Sequence, residues 1–530
     1  MEVVDARVMT NKISLTLSYS EDVEAALNKK CPKWVDYRVL SKSLDARGAN
    51  RGKAPKYHYI VEWIKEGEAF SSYEETFPNL GPFENPPIII GAGPGGLFCA
   101  LRLAEYGIPS LIFERGEAAH NRMKKIARFW RYGEFDRENN VCYGEGGAGL
   151  FSDGKLITRI KSPFVKYVMK RFVTFGAPKE TAYISNPHLG SNKIRNLISK
   201  LTDYLKEKKC KIFYNSKVEK ILVDKMGKIE GVELSNGKRF YSSHVVLATG
   251  HSPQDMFSHL NDLGVKMKPK DFAVGVRIEH PRKLIDHIQL GKFAEDKNLG
   301  SARYRLSYHD SNTEKGTYSF CMCPGGYVLS SGTEEDGIVV NGMSNYARNS
   351  RWSNSALVVS VKAGKDFSTS KSPLEGLHFQ REIEKKAFSF SKEKASGKEL
   401  PAQRLKDFLD HKLNPNKLSK TSTPSGLFPL AMNQVLPSFI VEHLHESFKS
   451  FEKSLGGFCF DDALLIAPET RTSSPVTIER DRETLESPSH EGLYPCGEGA
   501  GHAGGITSAA VDGVKIAMSL IKKETGFEAK

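Results

Sequence analysis

The sequence lacks the features of membrane proteins, secreted proteins and metal proteins. No run of about 18 apolar residues occurs in its 530 positions, so we expect no transmembrane helix. The first residues contain no apolar core, so a secretory leader is not expected. Eight cysteines are too few for a disulfide scaffold, which favours reduced thiols and a cytoplasmic protein. The cysteines also lack the spacing of zinc or iron–sulfur ligands, and we predict no bound metal.

Charge is present in excess of one sign and is unevenly distributed. The chain has 76 Lys and Arg against 63 Asp and Glu, which gives a formal net charge of +13. Residues 121–240 contain 26 basic and 12 acidic residues, so this window accounts for the whole surplus. A basic face that meets phosphates, nucleic acid or an acidic partner would explain the surplus, and so would a set of solvated helix faces.

A chain of this length is too long for one hydrophobic core, and we expect two to four domains. Near the N-terminus, alternating apolar residues predict a strand over residues 12–19. A helix over 22–30 and strands over 35–45 and 57–64 follow. These elements predict a small α+β domain over residues 1–82, for which we expect a ferredoxin-like arrangement.

A glycine-rich turn follows this domain. Gly91-Ala-Gly93-Pro-Gly-Gly96 matches G-x-G-x-x-G between an apolar strand and a helix. In this pattern the first glycine permits a tight turn, the second lets backbone approach a pyrophosphate, and the third allows close packing. The helix N-terminus then faces the phosphates. Glu114 ends the next apolar strand, where a carboxylate can accept a hydrogen bond from a ribose hydroxyl. Together these features indicate a bound dinucleotide.

Three later segments favour FAD over NAD. Residues 142–154 include five glycines, which lets bare backbone lie against a cofactor. Ala248-Thr-Gly250 follows a further apolar strand. Residues 494–506 form a glycine-rich turn into a C-terminal helix, whose N-terminus would stabilise the negative charge of a reduced flavin. Glu498 in this turn is expected to hold a ribityl hydroxyl.

Motifs spread along the whole chain share one resemblance. They lie at residues 38–47, 91–96, 146–155, 187–190, 248–252, 272–281, 320–326, 467–475 and 497–506. On these motifs the chain resembles the uncharacterised family of FAD-dependent dehydrogenases or oxidoreductases of bacteria and plastids, within the glutathione-reductase-type flavoproteins. The resemblance implies bound FAD and an oxidoreductase role, without a settled substrate. Ser191 departs from the threonine expected there.

The predicted fold class is α/β. We expect a discontinuous, three-layer, Rossmann-like FAD/NAD(P)-binding domain over residues 83–265 and 456–530, with an inserted α+β substrate or cap domain over 266–455. No second G-x-G-x-x-G occurs, so no second dinucleotide fold for NAD(P)H is expected. The residues expected to bind FAD are Gly91, Gly93, Pro94, Gly95, Gly96, Glu114, Arg115, Arg122, Gly147, Ala148, Gly149, Ser152, Val218, Ala248, Gly250, Gly497, Glu498, Gly504, Gly505 and Ile506.

Two cysteines and two arginines are candidates for catalysis. Cys321 and Cys323, in a glycine-rich turn, could form a redox dithiol or supply one reactive thiolate. The alternative is that they are two small residues facing a tight turn. Arg277 and Arg471 could bind an anionic substrate or stabilise developing negative charge. An internal salt bridge is the alternative for each arginine.

Histidines complete the candidate site. His251 and His502 stand beside two glycine-rich turns and could act as acid or base, or be structural. The favoured function is an FAD-dependent oxidoreductase that transfers a hydride or electron pair between FAD and an unidentified small molecule, and the arginines favour an anionic one. The basic window keeps an RNA-modifying flavoprotein open, although nucleic acid is the less favoured partner. The N-terminal domain keeps open a non-catalytic redox sensor or electron carrier with a redox protein partner. No membrane partner is expected.

Overall fold

The computed structural model describes residues 11–31, 33–70, 75–370 and 372–528. Helices and strands form a mixed α/β structure that contains a parallel sheet. Within these residues, no helix is both long enough and apolar enough to cross a lipid bilayer.

The N-terminal unit is a three-stranded antiparallel sheet with one helix. The Asp22 side chain accepts a hydrogen bond from the Glu24 N–H, which caps the helix. Leu27 of the helix packs against Leu15 and Val61 on one face of the sheet. The elements are β1 (Asn11–Ser18), α1 (Val23–Lys30), β2 (Asp36–Asp45) and β3 (Lys56–Ile64), in the sheet order β1-β3-β2.

These bounds lie within one residue of the predicted elements. A ferredoxin-like fold also has a second helix and a fourth strand, and the described residues between 11 and 70 contain neither. The predicted end of this domain, at residue 82, also differs from the structure. Phe77, Leu80 and Phe83 already pack against the core of the next domain, so the N-terminal unit ends soon after β3.

The second unit has three layers. Its central strand, Ile88-Ile-Ile90, is buried on both faces, because Ile89 meets a layer of helices and its two neighbours meet a small antiparallel sheet. The elements of this part are β4 (Ile88–Ile90), α2 (Pro94–Glu105), β5 (Leu111–Phe113), α3 (Ala119–Tyr132), α4 (Phe164–Thr174), α5 (Gly190–Glu207), β6 (Lys211–Phe213), β7 (Val218–Val223), β8 (Ile229–Leu234), β9 (Arg239–Tyr241), β10 (Val245–Leu247) and α6 (Gln254–Asp262).

The third unit is a larger, mostly antiparallel sheet. Its central strand is buried over nine of ten residues, because helices and loops cover both faces. The elements are β11 (Met267–Pro269), β12 (Phe272–Pro281), α7 (Arg282–Leu290), β13 (Ser307–Asp310), β14 (Lys315–Cys323), β15 (Tyr327–Ser330), β16 (Val340–Met343), β17 (Trp352–Val361), α8 (Glu375–Lys394), β18 (Leu400–Arg404), α9 (Leu405–Leu409), β19 (Leu427–Pro429), α10 (Ser438–Ser454) and β20 (Leu464–Glu469).

The order of the seven-stranded sheet is β13-β14-β17-β12-β20-β18-β19. Because β20 pairs with both β12 and β18, the chain stays in this sheet until Glu469. The sequence predicts that the chain returns to the FAD-binding domain at residue 456. In the structure the chain leaves the inserted sheet only after Glu469, where β20 ends.

After Glu469 the chain forms β21 (Val476–Ile478), which pairs with β11, then β22 (Leu493–Pro495), which joins the parallel sheet, and finally α11 (Ile506–Thr525). The parallel sheet then has the order β22-β10-β4-β5-β6, so it draws strands from both sides of the insertion. Helix α11 packs closely against α2. A Cβ at Gly513 would overlap the Gly95 carbonyl oxygen, so only glycine allows this approach. The N-termini of these two helices consequently lie side by side at one edge of the sheet.

Candidate FAD and substrate site

A cavity lies at the carboxyl ends of the parallel strands and extends to the inserted sheet. The residues that directly follow β4, β5, β10 and β22, which are Gly91, Glu114, Ala248 and Cys496, all line it. In open α/β sheets, ligands bind in the crevice outside these strand ends. Of the twenty residues expected to bind FAD, all except Gly96 and Arg122 line this cavity.

The glycine turn between β4 and α2 forms the floor of the cavity. Gly91 has φ +103°, and a Cβ there would overlap the Ala248 carbonyl oxygen, so only glycine fits. A Cβ at Gly93 would meet nothing within 4 Å, which leaves bare backbone towards the cavity. Gly96 lies beneath the turn, where a Cβ would overlap the Gly91 carbonyl oxygen. The turn therefore offers a pyrophosphate unobstructed backbone and the α2 N-terminus.

Glu114 is held in place by backbone N–H groups. Its Oε2 accepts from Ala92 at 2.9 Å, and its Oε1 accepts from Gly116 at 2.9 Å and Gly144 at 2.8 Å. A carboxylate offers about four acceptor positions. Glu114 therefore has capacity left for one hydroxyl of a ribose.

Polar and apolar side chains surround the end of the cavity beyond Glu114. Arg115 donates to Glu138 at 2.5 Å and to both oxygens of Asp255 at 3.2 and 2.9 Å. Val218 and Lys217 complete this end, and Lys217 pairs with Asp255 at 2.9 Å. The cations here are therefore already neutralised by carboxylates.

Arg122, which was expected to contact FAD, lies outside the cavity wall. Its buried guanidinium donates to five backbone carbonyls at 2.7 to 3.3 Å, all between residues 140 and 147. Arg122 thus shapes the glycine-rich loop from behind, because the carbonyls of that loop converge on one cation. Its charge serves the loop and is not presented to a phosphate.

Two further glycine segments lie next to each other in the cavity wall. One contains Gly147, Ala148, Gly149 and Ser152, and the other is the turn before α11. A Cβ at Gly149 would lie 3.0 Å from the Ile506 side chain, so the two segments approach closely. The N-terminus of the 20-residue helix α11 opens onto this space, where its partial positive charge would favour electron-rich groups.

Glu498 presents a carboxyl group without a hydrogen-bond donor among the described residues. It lines the cavity, and burial raises its pKa to about 7, while the charge of Lys270 acts in the opposite direction. A partly buried carboxyl of this kind is stabilised when a ligand supplies a hydroxyl donor. The residues present thus fit FAD: bare backbone and helix N-termini suit its phosphates, and Glu114 and Glu498 suit its ribose and ribityl hydroxyls.

Sequence comparisons agree with this geometry. Residues 271–472 match the family described as "FAD-dependent protein, C-terminal domain-like". The chain is 42% identical over 534 residues to an uncharacterised protein of Clostridium beijerinckii, and the alignment covers 98% of this chain and 96% of that relative. The chain therefore belongs to this family of FAD-dependent proteins, and its cofactor is FAD.

Solved structures resemble the chain only distantly. CtdE in complex with FAD is 10% identical, with a TM-score of 0.31, over 82% of this chain and 83% of that one. L-proline dehydrogenase from P. horikoshii is 12% identical, with a TM-score of 0.33, over 84% and 95%. Scores at this level carry no functional argument.

Cys321 lies on the cavity wall, and Cys323 lies behind it. The pairing of β14 with β17 shifts register between Phe320 and Cys323, and Cys321 has φ +44° in this bulge. That left-handed conformation is strained for a residue with a Cβ. Cys323 is fully buried, with its Sγ 3.2 Å from the Cys321 carbonyl oxygen. Burial raises the pKa of both thiols, that of Cys323 to about 12, so both are protonated at neutral pH.

Arg277 does not reach the cavity. Its guanidinium bonds both oxygens of Glu469 at 2.9 Å and donates to the Asn354 side chain at 2.8 Å. It also donates to the Cys321 carbonyl at 3.2 Å. Arg277 is thus a positioning residue that holds the bulge of β14, and its charge is neutralised by Glu469.

Arg471 lines the cavity but is also paired. It bonds both oxygens of Glu384, at 2.9 and 2.8 Å, and donates to Thr333 at 2.5 Å. Because Glu384 is fully buried beside it, the two groups form a neutral unit. Arg471 therefore offers the cavity little net charge.

The two candidate histidines occupy different places. His251 lines the cavity, with Nδ1 2.9 Å from Ser252 Oγ, and burial and the charge of Arg471 lower its pKa to about 4. His502 lies outside the wall, with Nε2 3.0 Å from the Ile478 carbonyl oxygen, and burial lowers its pKa. His502 is consequently held within a turn, whereas His251 is available to a ligand as a neutral imidazole.

Sequence reasoning gave no role to several residues that the cavity brings together. Phe320 lines it from the seven-stranded inserted sheet, Asn341 lines it from the two-stranded sheet of β15 and β16, and Lys155 lines it from the glycine-rich loop. Lys155 belongs to a motif recognised in the sequence, which is the signal that could have found it. Asn341 belongs to none of the motifs recognised in the sequence. The pairing of β15 with β16 brings it to the site, and the sequence does not show that pairing.

Proposed function

We propose that the protein is an FAD-dependent oxidoreductase that transfers a hydride or electron pair between FAD and a small molecule. The observation that carries this proposal is that a single cavity includes both the dinucleotide-type turn and a wall from the inserted unit, with Phe320, Cys321 and Asn341 in it. A redox-inert nucleotide site would not need this second wall.

Bound FAD supplies hydride or electron-pair transfer at its isoalloxazine ring. The wall residues would bind and orient the substrate there. Asn341 Oδ1 accepts from Gly342 at 2.7 Å and from Arg277 at 3.4 Å, while its Nδ2 donates to none of the residues that the structure describes. This amide is therefore free to donate to a substrate oxygen. His251 is neutral at physiological pH and can accept a proton from a substrate hydroxyl or amine.

The test is anaerobic mixing of the FAD-loaded protein with NAD(P)H, a dithiol and a panel of organic acids. We expect one class to bleach the visible absorption of the flavin. Asn341→Leu should slow that bleaching by about tenfold or more, because a hydrogen bond to the substrate is lost. Asn312→Leu, at an exposed turn, is the matched control. Failure of every class to bleach the flavin would contradict the proposal.

We propose a small molecule, and not RNA, as the partner. Among the described basic residues of the window 121–240, only Lys155 and Lys217 line the cavity. Other cations of the window pair with carboxylates, some from outside it, as Arg171 does with Glu75 and Glu105. We therefore expect no tRNA binding at low salt. Binding of tRNA that weakens steeply as the salt concentration rises would favour the RNA alternative.

We also propose the finer architecture of a glutathione-reductase-type flavoprotein. Its FAD domain would combine residues from 83 to 265 with the chain after Glu469, because strands from both segments pair in one parallel sheet. The sheet between them would be the substrate domain. The low cysteine content supports a reducing, cytoplasmic setting.

A further inference from the structure

The mouth of the cavity carries more positive charge than the carboxylate nearest to it, Asp153, can neutralise. Lys155 lines the cavity, and its Nζ donates to the Met322 carbonyl, next to Cys321. Asp153 Oδ2 lies 3.8 Å from that Nζ, which is beyond hydrogen-bond range. An ammonium group has three donors. Two donors of Lys155 are therefore available.

Asp153 is already committed to another cation. Arg348 bonds both of its oxygens, and the Ser344 hydroxyl donates to it as well. Asp153 and Arg348 are both buried, so they form a neutral pair beneath the mouth. The charge of Lys155 thus remains largely uncompensated.

Arg303 adds a second cation beside the mouth, outside the residues that line the cavity. Its guanidinium donates at 3.4 Å to the Asn186 carbonyl and forms no ion pair with a described residue. The segment that begins at Asn186 lies beside Lys155, because Leu156 donates to the Pro187 carbonyl at 2.9 Å. Within the described residues, the charges that act on Arg303 are those of Arg348 and Asp153, and these two are already paired with each other.

We infer that Lys155 and Arg303 form a subsite for an oxyanion group, a carboxylate or a phosphate, of the substrate. The subsite lies at the mouth of the cavity, where the anion is held while the rest of the molecule reaches the wall of Phe320 and Cys321. This assignment rests on the proposed function. It assigns anion recognition to Lys155 and Arg303. Arg277 and Arg471 are not suited to that role, because Glu469 and Glu384 neutralise their charges.

Exposed apolar surface continues the subsite outwards. Ile157 lies two residues after Lys155, lines the cavity and is 53% exposed. An organic anion with an apolar portion next to its charged group fits this combination, because burial of Ile157 would add to the ionic contacts.

The test is a titration of the FAD-loaded protein with sodium phosphate and, separately, with sodium acetate at constant ionic strength. Binding is followed by calorimetry and by the visible absorption of the flavin. We expect saturable binding of at least one probe, and the tighter one identifies the group. Lys155→Met and Arg303→Gln should each weaken it by about tenfold or more, because a charge-assisted hydrogen bond is lost.

Lys155→Arg should retain binding, and the matched controls Lys225→Met and Arg482→Gln, at exposed sites remote in sequence from the subsite, should bind as the unchanged protein does. Arg303 is exposed, so its variant is expected to fold even where a Lys155 variant does not. Absence of saturable binding, or equal weakening in the controls, overturns the inference. Anion binding that depends on both residues, in a protein whose flavin no reductant bleaches, would leave the subsite standing and contradict the proposed function.

Discussion

At the residue scale, two carboxylates in the cavity wall differ in their hydrogen bonding. Glu114 accepts three backbone hydrogen bonds, and Glu498 accepts none from the residues that the structure describes. Both positions could be predicted from the sequence, because each follows a strand in a glycine-rich setting. Their hydrogen bonding could not, since one donor to Glu114 is Gly144, thirty residues away along the chain. Glu498 is thus the carboxyl whose properties depend most on the cofactor.

Replacement of Glu498 by Gln should change the pH dependence of stability in FAD-depleted protein. The pKa of Glu498 is raised from 4.5 to about 7 by burial, so the unfolded state ionises first as pH rises. The unchanged protein should therefore lose stability relative to Glu498→Gln between these pH values, with no difference below them. Thermal unfolding near pH 5 and near pH 8 measures this. An equal difference at both pH values would contradict it.

The two cysteines should differ in reactivity. Cys321 is exposed to the cavity and Cys323 is fully buried, so alkylation of the folded protein should modify Cys321 and leave Cys323 intact. Because burial raises the pKa of the Cys321 thiol, its labelling should accelerate at alkaline pH. Mass spectrometry of the labelled peptides distinguishes the sites. Equal labelling of both would indicate a mobile turn and would favour the dithiol interpretation.

At the scale of elements, the bulge in β14 presents a side chain to the cavity. Arg277 in β12 connects this bulge to Glu469 in β20. The sequence predicts a turn at the two cysteines, but a register shift depends on pairing with β17, which lies thirty residues further along. The sequence therefore identifies both cysteines as candidates. It does not show that Cys321 lines the cavity while Cys323 is buried behind it.

Arg277→Met should lower the free energy of unfolding by about 3–5 kcal/mol, because Glu469 would remain as an unpaired buried charge. The double variant Arg277→Met with Glu469→Leu should recover most of this loss, since no buried charge remains. Urea unfolding of the single and double variants measures both effects. A double variant no more stable than the single one would show that the pair matters chiefly for the geometry of the bulge.

At the scale of the whole molecule, the order of glycine motifs along the chain predicted the parallel sheet, whose strands come from both sides of the insertion, whereas the place of the cofactor in the cavity stays a prediction. The boundaries at 82 and 456 were placed less well, because proline and glycine mark turns but do not show which core the flanking residues join. The charge pattern left open whether the basic window 121–240 meets an anionic partner or forms solvated helix faces. Several of its cations pair with carboxylates, as Arg171 does with Glu105, and Arg122 organises a loop.

The N-terminal unit should be dispensable for cofactor binding. None of the described residues before Ile90 lines the cavity. The unit attaches through backbone bonds such as that from Lys42 N–H to the Tyr183 carbonyl at 2.9 Å, and through Ala49, which packs in the core of the inserted unit. A variant that lacks residues 1–70 keeps Phe77, Leu80 and Phe83 in the core and should retain its visible flavin spectrum. A colourless variant that folds but cannot be reconstituted with FAD would contradict this expectation.

The arrangement of FAD and the inserted wall is tested most directly by a crystal structure of the FAD-loaded protein. We predict that the isoalloxazine ring lies between the loop of residues 147–152 and the α11 N-terminus on one side and the wall of Cys321 and Asn341 on the other. The ribityl chain should lie at Glu498. An isoalloxazine ring at the Glu114 end, or outside the cavity and away from Cys321, would contradict the proposed oxidoreductase site.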